Sequence, residues 1–232
     1  MGTVRLEEIF LEDFERIVDK KPIIFLPLGT TEWHGDHLPL GTDGLTAYEI
    51  CKKVAKKTGG TVMPPLFFGT ATTHKVKNRL FQGMDAQFGH RLPGSIYYLT
   101  PTLFKKTLLE VINQIRLQRF RVLVLLSGHW SVTQRKILRS MPDKRGELKI
   151  IKPNVVQYLQ RIRNAKHADE LEASFLIALR PDLKKKIIMK HDNLLWKQLY
   201  GYDPVSNIKL QEGKKAVQLA LSGLTKKIKS SL

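Results

Sequence analysis

The chain has 232 residues, with 39 lysines and arginines against 21 aspartates and glutamates, so its formal net charge at pH 7 is +18. Hydrophobic residues make up 42% of the sequence, and α/β chains of roughly 200–250 residues commonly form around a single core. We therefore expect one domain over residues 1–232. The lone Cys51 excludes an internal disulfide framework and a multi-cysteine zinc site, so histidines and carboxylates must hold any metal ion.

No run of the sequence approaches the roughly 18–20 apolar residues that a membrane-spanning helix needs. Residues 1–21 carry acids in place of the basic-then-apolar order of a signal peptide. We therefore expect a cytoplasmic protein with no membrane partner.

The positive charge has two interpretations, a partner that carries phosphates or lysine-rich solubilisation. The lysines are scattered, and the runs at 184–186 and 226–227 lie beside apolar positions with helical spacing. This pattern favours solvated helix faces over a nucleic-acid interface, which would concentrate basic residues around a reading element.

Two short apolar segments, 22–28 and 121–126, are typical of buried strands in a parallel sheet. Between them, apolar residues recur every three or four positions after Thr100 and Pro101. This spacing predicts a helix with proline in its first turn, and hence a strand-helix-strand unit.

Two further helices are predicted in the second half of the chain. One covers 170–179 and places Glu172 in its first turn, and the other is the C-terminal helix, with Asp203 and Pro204 as its start signal. Strands that alternate with helices predict an open, layered α/β fold with a mostly parallel sheet, whose ligands bind beyond the carboxyl ends of the strands. The basic stretch 70–91 is the least regular part, and we interpret it as a flap.

The densest chemical signal follows the first predicted strand, where twelve consecutive residues hold two histidines and three acids. Side chains alternate in an extended segment, so Glu32 and His34 point to the same side and can reach one metal ion. Glycines and a proline then turn the chain so that Asp43 returns to it. Zinc and manganese suit such nitrogen and oxygen ligands, at roughly 2.0–2.2 Å. The alternative is structural, with His34 and His37 as hydrogen-bonded loop histidines and Asp36 and Asp43 as turn formers.

Two later positions strengthen the metal interpretation. His129 follows the second predicted strand through a glycine, where the sheet rule places functional residues. His167 and Glu172 are further candidates, within the polar segment 167–174. Asp169 and Glu170 in that segment are interpreted as ordinary acids at a helix N-terminus.

At these positions the sequence resembles the creatininase family, the creatinine amidohydrolases and their relatives. The family pattern Pro-x-Gly-x-x-Glu-x-His-Gly-x-His-Leu-Pro-x-x-x-Asp matches residues 27–43 in residue types and spacing. Further likenesses are Leu-Pro-Gly-Ser-Ile at 92–96, Ser-Gly-His at 127–129, His-Ala-Asp-Glu-Leu-Glu-Ala-Ser at 167–174 and Gly-Tyr-Asp-Pro at 201–204. The likeness therefore spans nearly the whole chain.

The resemblance implies a single-domain, three-layer α/β/α sandwich with a mostly parallel sheet and two divalent metal ions, zinc, manganese or iron. By the same resemblance the metal ligands are Glu32, His34, Asp43, His129 and Glu172, with Asp43 as the carboxylate that bridges both ions. Two cations roughly 3.5–4 Å apart can activate a water and polarise an amide carbonyl. Relatives assemble as homohexamers, so the resemblance also implies a homo-oligomer.

The sequence departs from the family at several positions. Trp130 and Ser131 occupy the places of an aromatic residue and a metal-binding glutamate, and we expect both to contact the substrate. Serine cannot replace a carboxylate ligand, so Glu172 must serve the second metal. Asp169 and Ala173 replace a usual glycine and threonine. These departures argue against creatinine itself as the substrate.

The sequence therefore predicts a metal-dependent amidohydrolase that cleaves a non-peptide C–N bond of a small molecule, such as a cyclic amide or a formamide, with a metal-bound hydroxide. His167 matches a family histidine near the substrate, and we expect it to be the catalytic residue that passes a proton to the leaving nitrogen.

Three alternatives stay open at this point. One is a formamido-pyrimidine nucleotide deformylase of archaeal flavin or deazaflavin synthesis, whose phosphorylated substrate would meet Lys75, Lys77, Arg79 and Arg91. Another is a non-catalytic polyanion-binding protein on the same fold, which only the charge supports. The third is a metal-binding scaffold that no longer turns over.

Overall fold

A computed structural model describes residues 2–96, 98–142, 148–189 and 191–232. The α-helices are α1 (Leu11–Lys20), α2 (Thr42–Thr58), α3 (Asp85–Phe88), α4 (Pro101–Leu117), α5 (Val132–Ser140), α6 (Val156–Leu159), α7 (Glu170–Leu179), α8 (Lys184–Ile188), α9 (Leu194–Tyr200) and α10 (Leu210–Lys229). The strands are β1 (Ile23–Leu28), β2 (Thr61–Val62), β3 (Thr73–Val76), β4 (Arg79–Gln82), β5 (Val122–Ser127) and β6 (Lys149–Ile151). Short 3-10 helices cover Leu6–Glu8, Pro181–Leu183 and Pro204–Asn207.

A parallel sheet with the strand order β2-β1-β5-β6 forms the centre of the fold. The two strands predicted from their apolar runs, β1 and β5, are neighbours and pair along their whole length, from Ile23 with Val122 to Leu28 with Ser127. Every residue of both strands is buried. This burial explains the continuous apolar runs, because a parallel sheet is covered on both faces.

The residues of β1 alternate between two separate apolar clusters. Ile23 and Phe25 pack with residues of α2, α7 and α10 on one face of the sheet. Ile24 and Leu26 pack with residues of α4 and α5 on the other face. The helices therefore form a layer on each side of the sheet, and the predicted three-layer α/β/α sandwich is confirmed.

The helix starts follow the capping signals in two cases and differ in a third. The side chain of Thr100 caps α4 by accepting from the backbone N–H of Leu103, with Pro101 in the first turn as predicted. Asp169 caps α7, so Glu172 lies in its first turn. Asp203 instead caps the 3-10 helix that begins at Pro204, and α10 begins six residues later than that proline, at Leu210.

The basic stretch 70–91 is more regular than its composition indicates. It contains the antiparallel hairpin of β3 and β4, which pairs Thr73 with Gln82 and Val76 with Arg79. Lys77 and Asn78 have φ values of 45° and 63°, which is the backbone of a tight two-residue hairpin turn. The sequence lacks the Asn-Gly or Asp-Gly pair that signals such a turn, so the hairpin was not predicted.

No helix in the described ranges is both long enough and apolar enough to cross a lipid bilayer.

Candidate metal centre

The proposed ligands come together where the carboxyl ends of β1 and β5 meet the N-terminus of α2. Two glycines make this approach possible. A Cβ atom on Gly29 would lie 2.2 Å from the backbone nitrogen of Gly44, and one on Gly128 would lie 2.0 Å from the carbonyl oxygen of Asp43. Asp43, in the first turn of α2, is therefore pressed between the loop that follows β1 and the loop that follows β5.

The carboxylate of Asp43 faces a histidine with each of its oxygens. Oδ1 lies 3.3 Å from Nε2 of His34, and Oδ2 lies 3.0 Å from Nδ1 of His129. The same nitrogen of His129 lies 2.9 Å from Oε1 of Glu32. All four side chains are buried. Asp43 thus stands between two groups of polar side chains.

Two sets of three side chains share this carboxylate. One set is Glu32, Asp43 and His129, and the other is His34, Asp43 and Glu172. Within each set the potential ligand atoms lie within 4.8 Å of one another. The structure therefore brings all five sequence-predicted ligands to one place, in an arrangement with a single common carboxylate.

Hydrogen bonds orient two of these side chains. Nδ1 of His34 lies 3.0 Å from the carbonyl oxygen of Glu32 and donates to it, which leaves Nε2 directed toward Asp43. Oε2 of Glu172 accepts from the backbone N–H of Ala168 at 2.7 Å. These contacts fix which imidazole nitrogen and which carboxylate oxygen are free to bind a metal ion.

The buried carboxylates of the cluster require positive charge close to them. Burial alone would lower the pKa of His34 and of His129, but the neighbouring carboxylates outweigh it and raise both pKa values to about 10. Burial would also raise the pKa of Asp43, yet the two histidines hold it well below its usual value. Burial raises the pKa of Glu172 to about 8. Without a cation, protons on the histidines must balance the buried carboxylates.

The donor chemistry fits a divalent cation. Imidazole nitrogens with carboxylate oxygens are the ligands that zinc and manganese take in proteins, and a bound ion would replace the protons on the histidines. Nε2 of His129 is buried and has no hydrogen-bond partner among the described residues. Apart from its contacts with Glu32 and Asp43, the imidazole of His129 therefore has few interactions that would compete with a metal ion.

His167 lies beside this cluster, with its ring centroid 4.4 Å from that of His34. Its Nε2 lies 2.6 Å from the carbonyl oxygen of Trp33 and donates to it. This hydrogen bond leaves Nδ1 as the nitrogen with a free lone pair. Burial, and next the charge of His34, lower the pKa of His167, which favours the neutral form of the ring. His167 also forms a third possible donor group with Glu32 and His34.

A cavity of about 240 Å³ opens above the cluster. Glu32, Asp43, His129, His167 and Glu172 line its polar end. The sequence-predicted substrate residues Trp130 and Ser131 line it as well, together with Thr72, His74 and Lys166.

Ser131 has a structural contact in addition to its place in the cavity. Its hydroxyl oxygen accepts from the backbone N–H of Gln134 and so caps α5. The second donor set is completed by Glu172, the residue that the sequence assigned to the second metal in place of Ser131.

The four basic residues expected to meet a phosphate lie elsewhere. Lys75, Lys77, Arg79 and Arg91 are exposed and are not part of the cavity lining.

His37, the second histidine of the first cluster, lies outside the three donor groups. Its Nδ1 lies 3.2 Å from Oδ1 of Asn193, and its ring packs edge-on against Trp196. His37 is therefore a structural loop histidine, which is the alternative that the sequence left open for it. Asp36 is an exposed turn residue. Trp33 likewise points away from the cluster and packs with Leu38.

Tyr98 contacts the site and was missed by sequence reasoning. Its hydroxyl donates a hydrogen bond to Oε2 of Glu32, and its ring lies near that of His129. Burial and the charge of Glu32 raise the pKa of Tyr98. No pattern in the sequence links positions 32 and 98, because the contact joins residues that are 66 positions apart in the chain.

The fold and the donor cluster define an α/β protein with a candidate carboxylate-histidine metal centre at the carboxyl edge of its sheet. The family model described as creatininase, creatinine amidohydrolase, matches residues 7–201. The chain belongs to the creatininase family.

Two curated relatives match parts of the chain. The creatinine amidohydrolase of Pseudomonas putida is 29% identical over 129 residues, which cover 55% of this chain and 45% of the relative. The 3-dehydro-scyllo-inosose hydrolase of Thermotoga maritima is 32% identical over 107 residues, covering 46% of this chain and 30% of the relative. The alignments thus span less than half the length of these relatives.

Solved structures agree with the fold over almost the whole chain. A structure described as manganese creatininase superposes with a TM-score of 0.75 at 19% identity and covers 99% of this chain and 98% of its own. A mutant creatininase of Zn-Zn type gives a TM-score of 0.73 at 18% identity, with the same coverage of 99% and 98%. At these identities the agreement establishes the fold.

We expect Tyr98→Phe to weaken metal binding roughly 10- to 100-fold, because Glu32 loses the donor that orients its carboxylate. Tyr202→Phe is the matched control, since Tyr202 donates to Glu170 outside the cluster. Competition with a chromophoric zinc chelator measures both affinities. Equal affinities in the two variants would contradict the assigned role of Tyr98.

His37→Gln is expected to keep the full metal content but to change the pH dependence of stability. Burial lowers the pKa of His37 from 6.5 to about 4, so the folded chain binds fewer protons than the unfolded chain between these values. The wild type should therefore lose about 3 kcal/mol of unfolding free energy relative to the variant as the pH falls from 6.5 to 4. Urea unfolding across this range measures the difference, and parallel pH profiles would refute the assignment.

Proposed function

We propose that this chain is a metal-dependent amidohydrolase that cleaves a C–N bond other than a peptide bond in a small molecule, such as a cyclic amide or a formamide. The observation that carries the proposal is the carboxylate of Asp43, whose two oxygens serve two separate donor sets. Membership of the creatininase family and the names of the matched relatives support the reaction class. The cavity of about 240 Å³ suits a small substrate.

Two divalent ions, zinc or manganese, would be held by the two donor sets. Glu32, His129 and Asp43 would hold one ion, and His34, Glu172 and Asp43 the other. The descriptions of the matched structures as manganese and Zn-Zn creatininases support these metals. When bound, such ions lower the pKa of a water molecule and polarise a carbonyl group.

We assign the proton transfer to His167. Its Nε2–H is held by the carbonyl of Trp33, so Nδ1 is the atom that accepts a proton from the attacking water. The C–O bond forms first, and the C–N bond then breaks as Nδ1 delivers the same proton to the leaving nitrogen. The neutral state of the ring, which burial favours, is the state this exchange requires at its start.

Trp130 and Ser131 determine how the substrate lies in the cavity. The half-exposed indole of Trp130 offers an apolar wall, and Ser131 offers a hydroxyl in place of a carboxylate. A small planar amide fits this wall. A substrate whose binding depends on a carboxylate side chain at position 131 does not.

Asp43→Ala tests the metal centre directly. The wild type, purified without chelator, should contain about two equivalents of zinc or manganese per chain by elemental mass spectrometry. Asp43→Ala should lose both, because each donor set loses a carboxylate. Asp36→Ala removes an exposed acid two residues after His34 and should keep the wild-type content.

The same wild-type protein is then assayed against lactams and formamides for release of the free amine or acid. A wild type that stays metal-free after incubation with either ion would refute the hydrolase. So would a metal-loaded wild type that hydrolyses no amide of the panel, which would indicate a binding scaffold.

His167→Gln should lower kcat by roughly 10²- to 10⁴-fold while the metal content stays at the wild-type level, because the substitution removes the proton acceptor but none of the five proposed ligands. His191→Gln, at a half-buried histidine near His37 and outside the donor groups, is the control and should keep full activity. Steady-state kinetics and elemental analysis are measured on the same samples. Loss of one metal equivalent in His167→Gln would contradict this role and make His167 a ligand.

A further inference from the structure

A second cavity, of about 200 Å³, lies next to the candidate active site. The residues that matter in its lining are Trp130, Arg135, Arg139, Lys152, Asn154 and Gln157. Trp130 also lines the first cavity, so the indole forms a wall common to both. Asn154 donates from Nδ2 to the carbonyl oxygen of His129 at 2.9 Å and thereby joins the wall of the second cavity to a proposed metal ligand.

The lining of this second cavity carries positive charge without a matching acid. Arg135, Arg139 and Lys152 contribute three cations, and no carboxylate lies among the lining residues. Within the described ranges, none of the three forms an ion pair. Lys152 donates from Nζ to the carbonyl oxygen of Met141 at 2.6 Å, which positions the ammonium group but leaves its charge unbalanced.

Two buried hydrogen-bond donors in the same lining are unsatisfied. Nε of Arg135 and Nε2 of Gln157 are buried and have no hydrogen-bond partner in the part of the chain that the structure describes. An unsatisfied buried donor costs roughly 1–3 kcal/mol, so a folded protein rarely keeps one without a ligand or water nearby. An anion in the cavity would balance the charge of Arg135, Arg139 and Lys152.

The guanidinium of Arg135 is also held in place. Its central carbon lies 4.1 Å from the ring centroid of Trp130, in a cation-π contact. The stacking restricts the side chain next to the wall shared with the active-site cavity. A planar, fixed guanidinium is the group best suited to bind a carboxylate or a phosphate with paired hydrogen bonds.

We propose that this second cavity binds an anionic group of the substrate, a phosphate or a carboxylate, while the amide of the same molecule lies over the metal centre. That the anion belongs to a substrate rests on the proposed function, whereas the anion site itself is inferred from the lining residues alone. It also gives the substrate an extended shape, with the amide and the anion on opposite sides of Trp130. The exposed basic residues of the β3–β4 hairpin have no part in this site.

Binding of inorganic phosphate and of acetate to the full chain with its metal tests the anion site without turnover. Isothermal titration at constant ionic strength compares the wild type with Arg135→Gln and with Lys136→Gln. Lys136 is the neighbouring, exposed residue of α5, so its variant removes the same charge outside the cavity. Any binding of phosphate to the metal ions is common to all three proteins.

Arg135→Gln should weaken binding of the preferred anion about 10- to 100-fold, the factor of one charged hydrogen bond, and Lys136→Gln should stay within about twofold of the wild type. Lys152→Gln, which removes a second cation of the lining, should weaken binding in the same direction. Tighter binding of phosphate than of acetate identifies a phosphorylated substrate, and the reverse identifies a carboxylate. Absence of binding to the wild type, or equal losses in Arg135→Gln and Lys136→Gln, overturns the proposal.

A kinetic comparison separates this proposal from the proposed function. For amides that carry the preferred anion, Arg135→Gln should raise KM about tenfold or more beyond any rise for neutral amides, whereas Lys136→Gln should leave both KM values at the wild-type level. If the wild type hydrolyses no amide, the proposed function is refuted. The titrations with phosphate and acetate still test whether the second cavity binds an anion. An equal rise in KM for neutral and anionic amides refutes the second cavity and keeps the hydrolase.

Discussion

The arrangement of the site depends on the buried carboxylate of Asp43, which faces His34 with one oxygen and His129 with the other. Three carboxylates and two imidazoles are buried close together, so their charges must balance locally. In the free chain, protons on the histidines supply that balance, which is why the pKa values of His34 and His129 rise to about 10. A divalent ion in each donor set would supply it better.

The fold holds this carboxylate in place through backbone contacts. Adjacent parallel strands β1 and β5 end at the same edge, and each is followed within one residue by a glycine at which a side chain would collide with the first turn of α2. The capped start of α7 brings Glu172 in from the same helical layer that contains α2. The site is therefore built at the edge where a parallel sheet and helix N-termini converge.

The sequence predicted most of this arrangement, for identifiable physical reasons. The apolar runs of β1 and β5 stand out because both faces of the strands are covered, and the polar residues that follow them are conspicuous beside such runs. Capping residues such as Thr100 and Asp169 mark helix starts locally. The family pattern then assigned the ligand positions, and the structure places all five together.

Other features could not be predicted, because they depend on contacts between segments far apart in the chain. Tyr98 reaches Glu32 only through the path of the segment that follows Leu92. The contact of Arg135 with Trp130, and the grouping of both with Gln157 of α6 around one cavity, exist only in the folded chain. In the sequence Arg135 is one of 39 basic residues with no local mark to distinguish it.

The most direct test of the central role of Asp43 is the electron paramagnetic resonance spectrum of the full chain loaded with two equivalents of manganese. A carboxylate shared by both donor sets predicts the spectrum of two exchange-coupled Mn²⁺ ions, and the coupling should disappear in Asp43→Ala. A wild-type spectrum of isolated Mn²⁺ ions at full loading would contradict the shared carboxylate and the binuclear centre built on it.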